Sequence, residues 1–402
     1  MTQKFTRSLP LPASVLFPLA TLAPLVLLLL GVSVGGLWPL IAVAYLAGLT
    51  FALDRYMPLV APDASILPEA VPQPTAAAVS DQGEGPDLVI ISGAPKIAPD
   101  KIGPDWLMAL PASEKLLMAI GATQLLMMPV MLYAIAGTSE VGFLNRIILF
   151  LGFGMYLGQV CIPAAHELIH RGDKPMFQMG LAMFTTLLFG HHTSAHRMVH
   201  HRHVGSVDDP NTARDGETFY VFFPRAWVGS FKAGLEAENK LRAANTGIKG
   251  IHPYAVYLGG AAFMLLLAAA IGGYTGIVVM LALALYAQAQ LLLTDYVQHY
   301  GLMRAKAADG SLEPVAFKHS WNAPHWYSSA VMLNAPRHSD HHAHPSRPYP
   351  QLQLPDESQD TWLPYSLPVS CAFALSPRHW KALMAAPLAK LRNPAAEPAT
   401  PA

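Results

Sequence analysis

Cysteine and charge are the two things this 402-residue chain has least of. Its two cysteines, Cys161 and Cys371, form neither a CxxC pair nor a four-cysteine set. A disulfide framework, a zinc ribbon and a built-in iron–sulfur module are therefore excluded. Charged residues make up 13% of the chain, against about 25% in an average soluble domain, too few to cover a water-facing surface. The charges present cancel, 26 Lys and Arg against 26 Asp and Glu, so the basic footprint of a nucleic-acid-binding protein is missing. No GxGxxG follows a strand-like run, which excludes a nicotinamide-binding domain of the usual kind.

Apolar sequence is abundant instead, at 52%. A helix rising 1.5 Å per residue needs about 20 apolar residues to cross about 30 Å of hydrocarbon. Six stretches qualify: 12–31, 34–53, 115–136, 142–165, 254–272 and 276–297. The connections at 32–33, 137–141 and 273–275 are short and make three helical hairpins. The expected fold is an all-α integral membrane protein with six transmembrane helices. Lys4 and Arg7 before an apolar run resemble a signal peptide, but the run from Val15 to Gly31 is long and lacks a small-residue cleavage site, so it reads as a retained helix. The hairpin turns hold no Lys or Arg, and only Arg146 lies near one; Lys4, Arg7, Arg55, Lys101, Lys115 and nearly all other basic residues lie on the other side. The positive-inside rule makes that side the cytoplasm. The expectation is a multi-pass protein of the cell inner membrane with both termini cytoplasmic.

The chain divides into a first transmembrane hairpin (1–58), a cytoplasmic linker (59–114), a catalytic membrane domain with four further helices (115–386) and a disordered tail (387–402). Within the linker, 59–104 is rich in Pro, Ala, Asp and Gly and is expected to be irregular, apart from a β-like run at Leu88–Ile91. Residues 219–235 mix aromatic and basic side chains, which suits an interfacial helix. Residues 177–190 are apolar but short for a span. They are expected to turn back, because a full crossing would separate the histidines on either side.

Seventeen histidines are present, most of them between 166 and 344, in four clusters. These are His166 and His170 in HELIH, His196, His200 and His201 in HRMVHH, His299 in DYVQHYG, and His338, His341 and His342 in HSDHH. Residues three and four apart share a helix face, so His166 with His170, His196 with His200, and His338 with His341 and His342 are each expected to aim at one point. Neutral imidazole is the commonest side-chain metal ligand. Nine such ligands exceed the four a structural zinc takes and suit two metals, provided that all clusters lie on one side of the membrane. Glu167, Asp209 and Asp340 are candidate hydrogen-bond partners orienting the imidazoles. His203 and His344 adjoin the clusters, His191, His192 and His319 read equally as supports or bystanders, and His252, His325 and His379 stand alone.

HELIHR at 166–171, HRMVHHRHVGSVDDP at 196–210, DYVQHYGL at 295–302, HSWN at 319–322 and RHSDHHAHPSRPY at 337–349 together resemble the membrane alkane 1-monooxygenase family, within the fatty-acid desaturase and hydroxylase superfamily. The resemblance covers roughly 115–350. It implies two ferrous ions on the nine histidines, O2 as co-substrate, and oxidation of an alkane to a 1-alkanol. It also implies a rubredoxin or ferredoxin donor with its NAD(P)H reductase. The substrate would be a hydrophobic small molecule reached from the lipid bilayer. Spacing does not choose iron over zinc, copper or nickel; the resemblance does. Ala195, Val199 and Gln298 stand where the family commonly has Glu, Gly and Glu, which leaves room for a xylene monooxygenase-like activity on aromatic methyl groups. An acyl-chain desaturase or hydroxylase is a separate alternative, against which the HYG motif at 299–301 argues. HELIH also matches the HExxH zinc-protease motif, but that reading leaves the second and fourth clusters unused. A metal transporter would need polar residues inside the spans, and these are few.

Overall fold

The computed structural model describes residues 4–7, 9–61, 104–244, 250–355 and 361–392. The Leu88–Ile91 run and the tail beyond Arg392 lie outside the described residues. Four helices are long and apolar enough to cross a membrane: Ala13–Ser33, Ala112–Ala136, Phe143–Ile169 and Pro253–His299. The last, 47 residues long, is two arms, because the backbone leaves helical angles at Gly272 (φ −133°, ψ 16°) and Gly273 (φ 57°, ψ −140°). Only glycine takes the second conformation without strain. The stretch expected at 34–53 is a helical run of Trp38–Val43, a π-helical turn Ala44–Leu49, and Thr50–Tyr56. All six apolar stretches are thus helical.

These helices cannot rely on the hydrophobic effect to find one another in lipid, so close approach and polar cross-links matter more. Tyr286 and Gln290 press on the Cα positions of Gly154 and Gly158, where any side chain would collide. Gln290 also donates to the Gly154 carbonyl at 2.9 Å, beside a second π-helical turn at Leu157–Cys161. Gln124 and Gln288 reach from two long helices to the carbonyls of Met183 (3.0 Å) and Leu187 (2.8 Å). Those carbonyls flank the reversal that follows the Lys174–Thr186 helix. That helix has 13 residues, about 20 Å of rise. The chain then turns back through Leu188, held at φ 56°.

Three expectations need correction. The structure is not purely helical: Phe5–Thr6 pairs in parallel with Leu59–Val60, and the Val60 N–H bonds the Pro324 carbonyl at 2.8 Å. The described ends of the supposed linker are therefore ordered, and Pro104–Ala109 is a helix. Residues 387–392 are not disordered but finish the Pro377–Arg392 helix; Leu388 is buried against Gly301, and Arg392 pairs with Asp215 at 2.7 Å. The segment read as 219–235 is a helix spanning Phe219–Ala244.

Arg146 closes the turn between Ala112–Ala136 and Phe143–Ile169. Its guanidinium donates to the carbonyls of Ile135, Gly137, Ser139 and Val141 at 2.8–3.2 Å. A planar five-donor fork can do this and a lysine cannot. Arg146→Lys and Arg146→Met should both lower stability, by on the order of 2 kcal/mol, read as an earlier thermal unfolding transition in detergent; a lysine variant as stable as the parent would refute this role.

Candidate metal centre

The histidines meet at the ends of the long helices. His166 ends the Phe143–Ile169 helix, His170 caps it, and His299 ends the Pro253–His299 helix. After the reversal at Leu188, the short helix His192–Ala195 passes directly into a π-helical turn, His196–His200. His338, His341 and His342 lie on a short helix, His338–Ala343.

The nine sort into two groups, His166, His170, His196, His201 and His341 in one, and His200, His299, His338 and His342 in the other. Within each group the candidate ligand atoms lie within 4.8 Å of one another. This overturns two expected pairings. His196 does not aim with His200 but with His201, because the turn is π-helical: the His201 N–H bonds the His196 carbonyl, five residues back. His338 aims with His342, while His341 turns to the other group, since steps of three and four residues fall on opposite flanks of one helix face.

In the first group the Nε2 atoms of His166 and His196 are 2.7 Å apart, those of His196 and His201 2.9 Å, and those of His201 and His341 3.2 Å. In the second, His338 Nε2 lies 3.0 Å from Nε2 of both His299 and His342. The groups abut, with the His201 and His342 rings 4.6 Å apart. One ring nitrogen either donates or accepts in a neutral imidazole, so nitrogens converging in this number cannot all satisfy one another. Nε2 of His170 and of His200 are buried with no hydrogen-bond partner among the described residues. A cation drawing the lone pairs of each group resolves the conflict, and all-nitrogen donor sets suit transition metals. Burial first, and neighbouring imidazoles second, hold His170, His196, His201, His338, His341 and His342 well below the usual imidazole range. They stay neutral, the form that ligates.

Of the three carboxylates expected to orient imidazoles, Asp209 alone does so. Its Oδ2 lies 2.8 Å from His200 Nδ1 and accepts from the Thr212 hydroxyl at 2.7 Å, while Oδ1 accepts the Asn211 N–H at 3.0 Å. Burial opposes charge on both partners, but their mutual attraction prevails, raising His200 and lowering Asp209. Glu167 instead pairs with Arg171 at 2.8 Å and accepts the Tyr349 N–H at 3.1 Å. Adjacent to His166, it points about 100° away around the helix, and it is not placed as a protease's general base. Asp340, two residues from both His338 and His342, faces away from them and binds Arg347, His344 and the Gln353 N–H.

Other supports escaped the sequence reading. The His319 carbonyl and the Ser320 hydroxyl approach His299 Nδ1 at 3.4 and 3.5 Å. Asn211 links Asp209 to Asp295, one turn before His299, at 2.7 Å. The four-residue spacing of Asp295 and His299 was the available signal. His192 stacks between Phe189 and His196, and the His191 ring packs edge-on against Phe189 and Phe231. His252 caps a helix and His379 bonds Ser376. His203 and His325 belong to neither group.

The fatty acid desaturase family model matches residues 142–369. The chain is 32% identical over 251 residues to alkane 1-monooxygenase 1 of Pseudomonas aeruginosa, covering 61% of this chain and 64% of that protein. It is 31% identical over 249 residues to alkane 1-monooxygenase of Acinetobacter baylyi, covering 61% and 60%. It is 28% identical over 244 residues to the xylene/toluene monooxygenase hydroxylase component of Pseudomonas putida, covering 59% and 62%. The chain thus spans somewhat under two thirds of the length of these relatives.

Asp209→Ala removes the group that fixes the His200 ring, and should weaken metal retention about 10- to 100-fold in a chelator titration. Glu167→Gln should cost stability, on the order of 3 kcal/mol, with metal retention unchanged. The reverse pattern would exchange the two roles.

Proposed function

We propose that this chain, which belongs to the fatty acid desaturase family, is a membrane oxygenase that hydroxylates the terminal methyl group of an alkane, with two iron ions held by its five- and four-histidine groups. The sorting of nine imidazoles, seven buried and two half-buried, into two abutting sets carries this reading. Its similarity to the alkane 1-monooxygenases of Pseudomonas aeruginosa and Acinetobacter baylyi supports iron and the alkane. Six spans, with the histidines and both termini on the cytoplasmic face of the inner membrane, are part of the proposal, as are the domain limits 1–58, 59–114 and 115–386. The loss of Lys and Arg from the hairpin turns supports that orientation.

Ferrous iron in such a site supplies the reductive activation of O2, by which one oxygen atom enters a C–H bond and the other leaves as water, with two electrons and two protons. The chain's own part is to hold and to shield. The imidazoles of both groups present neutral nitrogen lone pairs. Asp209 keeps a proton on His200 Nδ1, so that Nε2 is left free to ligate. The apolar helices and buried ring stack exclude water, which keeps the site dry for an unactivated hydrocarbon. Two electrons must come from another protein, since the chain has no cysteine cluster; a rubredoxin or ferredoxin with its NAD(P)H reductase is the proposed source.

A second reading, oxidation of a methyl group on an aromatic ring, is favoured by the similarity to the xylene/toluene enzyme and by Ala195, Val199 and Gln298. One preparation separates them. Purified chain should hold about two irons, lost in His338→Ala and His170→Ala, and with donor, reductase and O2 should turn n-octane into 1-octanol. Benzylic alcohol from p-xylene, with n-octane untouched, would select the second reading. A single zinc per chain would overturn both.

A further inference from the structure

A groove of about 560 Å³ lies apart from the histidines, between the Trp38–Tyr56 helical run, Met155 and Gln159 of the Phe143–Ile169 helix, and the Leu367–Ala374 helix. That volume falls within the roughly 300–1,000 Å³ typical of small-molecule sites. None of the nine histidines lines it. Its walls are apolar, with Leu46, Phe51, Met155, Val369 and Phe373 among them. Thr50 and Asp54, one helical turn apart, also line it.

Thr50 is the informative residue. In the long apolar helices several threonine hydroxyls donate to a carbonyl one turn back, as Thr21 does to Phe17 (2.7 Å), Thr123 to Ala119 (2.6 Å) and Thr294 to Leu291 (2.7 Å). Thr50 follows directly on the π-helical turn Ala44–Leu49, which breaks that register. Its Oγ1 is buried without a hydrogen-bond partner among the described residues, in a residue only 3% exposed. A buried hydroxyl left unsatisfied costs free energy that a ligand can recover. Asp54 beside it accepts the Ser328 N–H at 3.1 Å through Oδ1 and adds acceptor character to this end of the groove.

We propose that the groove binds a single-chain aliphatic alcohol, its hydroxyl at Thr50 and Asp54 and its chain along the apolar walls. An alcohol hydroxyl both donates and accepts, so it can answer the Thr50 hydroxyl and the Asp54 carboxyl together. A fatty acid would set its carboxylate against Asp54, and an alkane would leave Thr50 as it is. The site does not depend on the metal reading: it shares no residue with the histidine groups, and binding should survive in His338→Ala.

The test uses the full chain in phospholipid nanodiscs, photolabelled with a 1-alkanol of about twelve carbons carrying a mid-chain diazirine, with labelled peptides mapped by mass spectrometry. Label should fall on 46–54 and 366–379 and be displaced by 1-dodecanol, but not by dodecane or dodecanoate. Thr50→Val, which keeps the shape and removes the hydroxyl, should weaken labelling about 3- to 10-fold. Ala372→Trp, at an exposed wall position, should block the groove and abolish labelling without disturbing the core. Equal displacement by dodecane would reduce the groove to an apolar slot for lipid chains and overturn the proposal. So would indifference to Thr50→Val, or label spread evenly over the lipid-facing helices.

Discussion

Everything in this molecule is arranged around nine imidazoles gathered in a largely buried place. Charge there is expensive, and burial together with the mutual repulsion of the rings opposes it, except at His200, where Asp209 outweighs both. Neutral rings in close contact nevertheless cannot satisfy one another, and the unpartnered Nε2 atoms of His170 and His200 record that conflict. The long helices, the reversal at Leu188 and the loops carrying Ser320 and Arg347 all serve to bring these rings together from four distant parts of the chain. A polar cluster of this kind, at the mouth of an apolar bundle, has no structural use that a few leucines would not serve better.

The device that divides the rings is a change of helical register. In an α-helix His196 and His200 would point together. The π-helical turn moves the partnership to His196 and His201 and hands His200 to the other group. On the His338–Ala343 helix the same division is made by three- and four-residue steps. π-turns recur at functional sites because they re-aim side chains without ending the helix. Two more occur here, at Leu157–Cys161 below His166 and at Ala44–Leu49 before Thr50. In each case a backbone or side-chain group is released from its usual partner: the Gly154 carbonyl is answered by Gln290, and the Thr50 hydroxyl has no partner among the described residues.

The six helical stretches and the clustering of the nine histidines that the structure gathers were plain in the sequence, since length, hydropathy and clustering are local properties. The sequence did not carry how they divide. Counting by fours assigned His196 to His200 and bound His338 to both His341 and His342, because a π-turn leaves no mark in one sequence. It ranked Glu167, Asp209 and Asp340 alike, although Asp209 alone touches one of the nine rings, because Glu167 is drawn to Arg171 and the Tyr349 N–H, and Asp340 to His344 and Arg347. The start of the tail, 387–392, was not legible for a related reason: Leu388 meets Gly301 and Arg392 pairs with Asp215, contacts that only the tertiary fold supplies.

The two groups are not equally supported, and this bears on how the centre works. In the four-histidine group, His200 rests on Asp209 and His299 faces the His319 carbonyl and Ser320. In the five-histidine group, Nδ1 of His196, His201 and His341 is buried with no partner among the described residues, whereas in the four-histidine group this holds for His342. Rings fixed through their second nitrogen hold their direction; rings without that hold keep it only through packing and through whatever they ligate. The four-histidine group is therefore the pre-formed half of the centre, tied through Asp209, Asn211 and Asp295 to the helix that bears His299. The five-histidine group gathers three separate segments, those of His166, His196 and His341, and would depend on a bound ion to keep them together. Loss of the ion should thus be felt first where these three segments meet.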